Sequence, residues 1–326
     1  MRILIVKTSS MGDVVHAMPA ISDIANALPD AQVDWVVEKS FASIPLQHRA
    51  VNRVIPLQWR KWRKSLRSPE TRAAIRTWRM EMAREPYDLI IDMQGLLKSA
   101  LFACFARGPV AGYDFHSIRE PLASLFYRRR ASISLELHAV DRCRRLAAQV
   151  LGYTAPNTPP DFGLRAKPDG WTPSPHAPFG VLIPCASRPE KLWPEDDWVA
   201  IGTRMRSHGW QVAIMWGSPD ELSLAQRLAE KIGAVVPPFL TVAQVADTLS
   251  KAQAVVGLDT GMSHLAAAHG RPVVGIYCDH EPGLAGLKGS GPVISLGGKG
   301  IVPARLDVLQ ALESVIASQN KIGRLV

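Results

Sequence analysis

Cysteine is scarce in this chain of 326 residues: Cys104, Cys143, Cys185 and Cys278 are scattered, with neither metal-ligand spacing nor a paired pattern. That excludes a disulfide framework and a Cys/His zinc module, and it fits packing cysteines in a reducing compartment. The nine histidines are dispersed, without an H-x-x-x-H pair. Long apolar runs are missing too. None approaches the roughly 18 residues needed to span a bilayer. The opening "MRILIVKTSS" is too short an apolar stretch for a signal peptide, and Asp13 follows at once. A cytoplasmic location is the expectation. No G-x-G-x-x-G follows any strand, and neither the P-loop G-x-x-x-x-G-K-[ST] nor a G-x-S-x-G elbow occurs. These absences argue against a nicotinamide-dependent oxidoreductase, a P-loop enzyme and an α/β-hydrolase. There is no low-complexity tract and no short repeat.

Acidic residues are outnumbered, 29 Asp and Glu against 38 Lys and Arg, for a formal net charge of +9. The excess points to an acidic partner: nucleotide, nucleic acid, phosphorylated sugar or anionic membrane. Much of it lies in "WRKWRKSLRS" (59–68), "RTWRMEMAR" (76–84) and "FYRRR" (126–130), all in the first half. Hydrophobic residues make up 47%, enough for a sizeable core, and the length suits two domains.

Apolar patterning alternates strands with helices. In the first half, strands are expected at 2–7, 32–38, 51–57 and 87–95, with helices at 15–29, 69–85 and 96–106. Seven prolines between Pro156 and Pro178 mark a linker. The rhythm then restarts with strands at 179–187, 210–217, 254–259 and 271–278. Helices are expected at 194–209, 220–233, 241–253, 263–270 and 303–319. The expected domains are 1–165, a linker at 166–178, and 179–326. This is an α/β chain of two Rossmann-like domains facing a central cleft, with ligands outside the carboxyl ends of the strands.

Five stretches at strand ends or in basic segments can carry chemistry. "TSSMGDVV" places Ser9, Ser10, Met11, Gly12 and Asp13 at the first strand-to-helix turn. Asp13 is either part of a helix cap, stabilised by the helix dipole, or a general base at a strand end. "LDTGMSH" holds Asp259, Thr260, Gly261 and His264 where a helix N-terminus favours phosphate oxygens, or forms a plain capped turn. "PCASRPEKLWPEDDW" offers Ser187, Arg188 and Lys191 to a departing nucleotide, or is a solvated loop. In "WGSPDE", Glu221 can take both ribose hydroxyls, or is a helix N-terminal acid. "QWRKWRKSLRS" interleaves Trp59 and Trp62 with cations, as a membrane interface, a phosphorylated lipid or nucleic acid would want, or as a solvated basic face.

"MRILIVKTSSMGDVVHAMPA", "REPLASLFYRRR", "KLWPEDDW" and "VVGLDTGMSHLAAA" together resemble the ADP-heptose:lipopolysaccharide heptosyltransferases, from Met1 to about Ser318. "KTSSMGDVVHAMPA" with "REPLASLFY" is most like the heptosyltransferase I branch. The resemblance implies a GT-B glycosyltransferase that moves L-glycero-D-manno-heptose, with inversion, from ADP-heptose to the Kdo of Kdo-lipid A. A later, already heptosylated core acceptor is the alternative, and a basic binding module is an alternative of another class. By position, Asp13 matches the family's base and Lys191 its donor-phosphate lysine. Glu221 matches the ribose acid. Thr260, Gly261 and His264 match the diphosphate turn, with Asp259 at its head binding heptose. Ala186 and Ser187 fall where the family has a Thr-Thr pair, and Leu240 where a Met packs on adenine. Ser10, Gly12, Arg60, Arg63, Lys64 and Arg119 fall at acceptor positions. The resemblance further implies no cofactor or metal, no nucleic-acid partner, a monomer, and peripheral association with the cytoplasmic face of the inner membrane. It also implies that the final helix can pack back on the first domain.

Overall fold

A computed structural model describes residues 1–165, 170–186 and 188–322. The chain divides into two units, Met1–Arg165 and Ala166–Val326.

The first unit runs β1 (Arg2–Val6), α1 (Met11–Ala27), β2 (Gln32–Glu38), β3 (Val51–Leu57), α2 (Trp59–Trp62), α3 (Pro69–Met82), β4 (Leu89–Asp92), α4 (Leu97–Ala103), β5 (Val110–Tyr113), β6 (Arg129–Ala131) and α5 (Ala139–Leu151). All six strands are parallel, in the order β3-β2-β1-β4-β5-β6. Such a sheet is covered on both faces, so its central strands are continuous apolar runs. Ile3 to Val6 and Leu89 to Ile91 are fully buried accordingly. Strand order reverses between β1 and β4, and their carboxyl ends frame the crevice where ligands of doubly wound sheets bind.

Two departures from the sequence pattern matter. α1 begins at Met11 rather than at 15, because Ser10 supplies its N-cap. β5 and β6 went unread because they are short and lack alternation. In β5, Gly112 lies against the Tyr127 ring, where a Cβ would come within 2.3 Å.

His48 lies in the turn before β3 and is buried. Its Nδ1 accepts the Ala50 N–H at 3.1 Å, and its Nε2 lies 3.1 Å from Ser22 Oγ. Protonating Nδ1 would set it against that N–H. Burial, followed by the charge of Arg49, lowers the imidazole pKa to about 4. In the unfolded chain it returns to about 6.5. The unfolded state therefore binds more protons between these values, and stability is full above pH ~6.5 and declines as pH falls toward 4. Urea unfolding is expected to show ~2 kcal/mol lost to this group between pH 7 and 5. In His48→Gln the acid sensitivity is expected to shrink by that amount; an unchanged pH dependence contradicts the assignment.

The second unit runs β7 (Phe179–Ile183), α6 (Glu195–Ser207), β8 (Gln211–Ile214), α7 (Pro219–Ile232), α8 (Val242–Leu249), β9 (Val255–Leu258), α9 (Gly261–Ala268), β10 (Val273–Tyr277), α10 (Pro282–Ala285), β11 (Val293–Gly297) and α11 (Arg305–Ile322). Its parallel sheet has the order β11-β10-β9-β7-β8, reversing between β7 and β9. At Gly257 of β9 an added Cβ would meet Ser263 Oγ at 2.4 Å, so strand and α9 approach closely only because that position is glycine. α11 buries Val308, Ala311, Leu312 and Val315 in this unit's core. Of the proline-rich stretch, Gly170 and Trp171 are pinned to the same unit, whereas Thr158 and Gly163 bond to the first. Thr248 Oγ1 donates to Trp171 O at 2.9 Å, and Lys251 Nζ donates to Gly170 O at 3.2 Å.

Candidate active site

In the first unit the chain leaves β1 and turns through Lys7–Ser10 into α1. Asp13 is the third residue of that helix. Its Oδ2 accepts both the Ser10 N–H, at 2.7 Å, and the Ser10 hydroxyl, at 2.8 Å. Its Oδ1 faces Lys7 Nζ at 3.7 Å. Lys7 is buried and donates to Met93 O at 3.0 Å, so its charge is held at the end of β4. The Asp13 side chain remains 42% exposed, which leaves its carboxylate reachable by a substrate hydroxyl.

The turn is braced from β4. Gln94 Oε1 accepts the N–H groups of Thr8 and Ser9 at 3.0 and 3.1 Å, and the Ser9–Ser10 peptide is cis. Gln94 is positioned in turn by Asp92, whose fully buried carboxylate accepts from Gln94 N, Gly95 N, Ser99 Oγ and Tyr127 OH. Burial pushes the Asp92 carboxyl up, and these donors act against it. The buried carboxylate thus serves as a scaffold, with every donor aimed at it.

Beside this turn is a cavity of about 360 Å³. Thr8 and Ser9 form one wall, and Arg60, Arg63 and Lys98 bring positive charge to it. Glu38 also lines it and accepts the Arg60 N–H at 3.2 Å; burial raises its carboxyl pKa. The Arg60 guanidinium lies 5.1 Å from the Phe41 ring centroid. The two tryptophans of this segment part company. Trp59 lines the cavity and meets Phe102 edge-on at 5.4 Å, whereas Trp62 is buried against Trp78 at 6.1 Å. The expected interleaving of two aromatics with cations is therefore corrected for one ring: Trp62 is core, while Trp59 lines the cavity with Arg60 and Arg63.

In the second unit, a short turn at Pro189–Lys191 aims Lys191 at the end of β9. Lys191 Nζ donates to Asp259 Oδ2 at 2.6 Å and to Asp259 O at 3.2 Å. His264 Nε2 lies 3.4 Å from Asp259 Oδ1. Burial pushes the Asp259 carboxyl up, but the hydrogen bonds and charges of His264 and Lys191 outweigh it and hold the pKa at about 2. Thr260 is the N-cap of α9, and its Oγ1 is buried without a hydrogen-bond partner among the described residues. A lysine, an unpaired hydroxyl and the free N–H groups of a helix N-terminus here form a setting for phosphate oxygens.

The glycosyltransferase family 9 (heptosyltransferase) profile matches residues 75–296. The chain belongs to this family. It is 42% identical to lipopolysaccharide heptosyltransferase 1 of Escherichia coli K12 over 296 residues, 90% of this chain and 93% of that one. Against lipopolysaccharide heptosyltransferase 1 of Pseudomonas aeruginosa it is 44% identical over 295 residues, 90% of this chain and 83% of the other. The structure of the E. coli heptosyltransferase WaaC with ADP superposes with a TM-score of 0.88 at 39% identity, covering 96% of this chain and 99% of that one. The fold is accordingly of the GT-B class, and the protein is a glycosyltransferase.

Within this heptosyltransferase the remaining residues expected from the sequence take varied positions. Gly12 lies in the first turn of α1. Glu221 sits in the first turn of α7, where Oε2 accepts the Gly217 N–H at 2.7 Å. Leu240 is buried, while its neighbour Phe239 is 64% exposed and meets Trp216 edge-on at 5.7 Å. Ala186 is half-buried against the core. Ser187 lies outside the described residues. Arg60 and Arg63 share the cavity; Lys64 and Arg119 are exposed and do not line it. Three residues of the first unit were missed: Lys98, Glu38 and Gln94. Lys98 had a readable signal, a cation in the first turn of the helix after β4.

Proposed function

We propose that this heptosyltransferase moves L-glycero-D-manno-heptose from ADP-heptose to a Kdo hydroxyl of Kdo-lipid A, with inversion, at the cytoplasmic face of the inner membrane. The observation that carries the reading is Asp13: a solvent-reachable carboxylate at the switch point of the first sheet, beside a cavity lined by three cations. Such a cavity suits an acceptor bearing carboxylate and phosphate. Relatives named lipopolysaccharide heptosyltransferase 1, and the solved WaaC complex with ADP-2-deoxy-2-fluoro heptose, support the donor and the inner-core acceptor.

In this scheme Asp13 takes the proton from the attacking Kdo hydroxyl as that oxygen adds to the anomeric carbon. The bond to the ADP oxygen breaks through an oxocarbenium-like transition state, akin to that of glycoside hydrolysis. Lys191, the Thr260 hydroxyl and the N-terminus of α9 receive the charge on departing ADP. Glu221 takes the ribose, and Leu240 and Ala186 line the nucleotide. Ser10, Gly12, Arg60, Arg63, Lys64 and Arg119 serve the acceptor, and one chain supplies every group.

The test is ADP release measured with Kdo-lipid A, with an already heptosylated core, and with neither. Release that depends on Kdo-lipid A is expected, and it is expected to persist in EDTA because Lys191 and the helix amides supply the charge. Release only with the heptosylated core would move the enzyme to a later step, and collapse in EDTA would refute the metal-free scheme.

A further inference from the structure

The solvent face of α4 carries two leucines beside Lys98 where a surface helix is ordinarily polar. Its inner face holds Ser99, Ala100, Phe102 and Ala103, with Ser99 Oγ spent on the buried Asp92. Leu97 and Leu101, one turn apart, are 38% and 44% exposed. The turn Pro121–Phe126 packs on α4 and adds Leu122, Leu125 and Phe126, exposed by 61%, 65% and 38%. The Leu97 N–H donates to Glu120 Oε2 at 2.7 Å, tying the two elements together. Single exposed leucines are ordinary; five large apolar side chains on two adjoining elements are not.

The surroundings are basic. Arg119 precedes the turn, and Arg130 Nε donates to Ser124 O at 2.9 Å, which fixes its guanidinium beside the turn. Beyond the last turn of α4, a cavity of about 470 Å³ is lined by Arg72, Arg76 and Arg79 of α3, with Arg79 4.5 Å from the Phe105 ring centroid.

We propose that this face docks on an anionic phospholipid bilayer. Its leucines and Phe126 enter the boundary between headgroups and acyl chains, and its arginines meet the phosphates. Charge decides the occupant: a second copy of the chain would bring the same basic rim against itself, whereas an anionic leaflet complements it. Lys98 stands on α4 next to Leu97 and also lines the acceptor cavity. Docking thus brings that cavity to the headgroup layer, a consequence that rests on the lipid-linked acceptor proposed above.

The test uses the full chain and vesicles of phosphatidylglycerol and phosphatidylethanolamine without acceptor. Cosedimentation is expected with these vesicles. It is expected to weaken at about 0.5 M salt and to fall about tenfold or more in the double variant Leu122→Asp/Leu125→Asp. Leu306→Asp, an equally exposed leucine of α11, is expected to bind as the parent does. Unchanged binding by the double variant overturns the proposal. So does a dimer, seen by ultracentrifugation, that dissociates in the double variant while vesicle binding persists. Turnover on a deacylated, water-soluble Kdo acceptor is expected to be unaffected; its loss would assign the face to catalysis instead. Because the vesicles hold no acceptor, failure of the proposed reaction would leave the vesicle result standing.

Discussion

Replacing Asp13 by asparagine is expected to lower turnover about 10²–10⁴-fold, with ADP affinity and the unfolding midpoint nearly unchanged. The observed capping contact of this carboxylate and its proposed role as base separate in that variant. The amide oxygen of Asn can still accept the Ser10 N–H that Asp13 Oδ2 now accepts at 2.7 Å, so the first turn of α1 keeps its bond. What is lost in stability is the contact with Lys7 at 3.7 Å, made by a carboxylate nearly half exposed to water. One partner faces water and the other, the buried Lys7, keeps its hydrogen bond to Met93 O, so the loss is expected to stay at ~1 kcal/mol. The amide cannot take a proton, however, so the proposed base is removed while a cap is retained. Asp13 belongs to the first unit and the proposed donor groups to the second, which is why ADP binding is expected to hold. Acceptor-dependent ADP release, ADP titration and thermal unfolding read the three quantities. Turnover within a few fold of the parent would leave Asp13 a helix cap and nothing more.

Lys191→Met is expected to cost about 10²–10³-fold in turnover, and here ADP affinity is expected to fall as well. Lys191 Nζ now sits 2.6 Å from Asp259 Oδ2, on the turn where phosphate oxygens would arrive. Its charge holds Asp259 in this structure and, in the proposed scheme, meets the leaving group. Among the described residues the variant leaves His264 as the remaining partner of the half-buried Asp259, so its carboxyl is expected to rise from about 2. Because that pKa is depressed in the folded chain, the pair stabilises the protein above the unfolded value near 4, and the contribution is lost as pH falls toward 2. At neutral pH the variant is therefore expected to lose up to ~2 kcal/mol in urea unfolding. Lys191→Arg keeps the charge and should recover most stability but less turnover, since a planar guanidinium cannot reproduce a point charge in the same pocket. Full activity in Lys191→Met would exclude it from leaving-group stabilisation.

Much of this protein is written in local pattern. The buried runs at β1, β4, β7 and β9, the helices that follow β1 and β9 and the proline-rich stretch follow from side-chain periodicity and turn chemistry, although both helices begin earlier, at Met11 and Gly261, than periodicity alone places them. These depend on neighbours a few residues apart. Asp13, Lys191, Asp259 and His264 stood out because each lies just past a buried strand or in the first turn of the helix after one. Short β5, β6 and β11 were not legible, since their three to five residues are broken by Gly, Arg or Ser and form no continuous apolar run.

Sheet order decided the rest. β1 lies beside β4, so Gln94 reaches the backbone of Thr8 and Ser9, and Lys98 enters a cavity with Arg60 and Arg63. β9 lies beside β7, so Lys191 and Asp259 meet across 68 residues of chain. Packing, not periodicity, buried Trp62 and left Leu97 and Leu101 facing water. The sequence by itself determined the elements, the two βα halves and the turns that can hold chemistry, because hydrogen-bonded turns and amphipathic faces are short-range. Only the tertiary structure decided which turns share a site and which apolar side chains stay outside, because both depend on which strands pair.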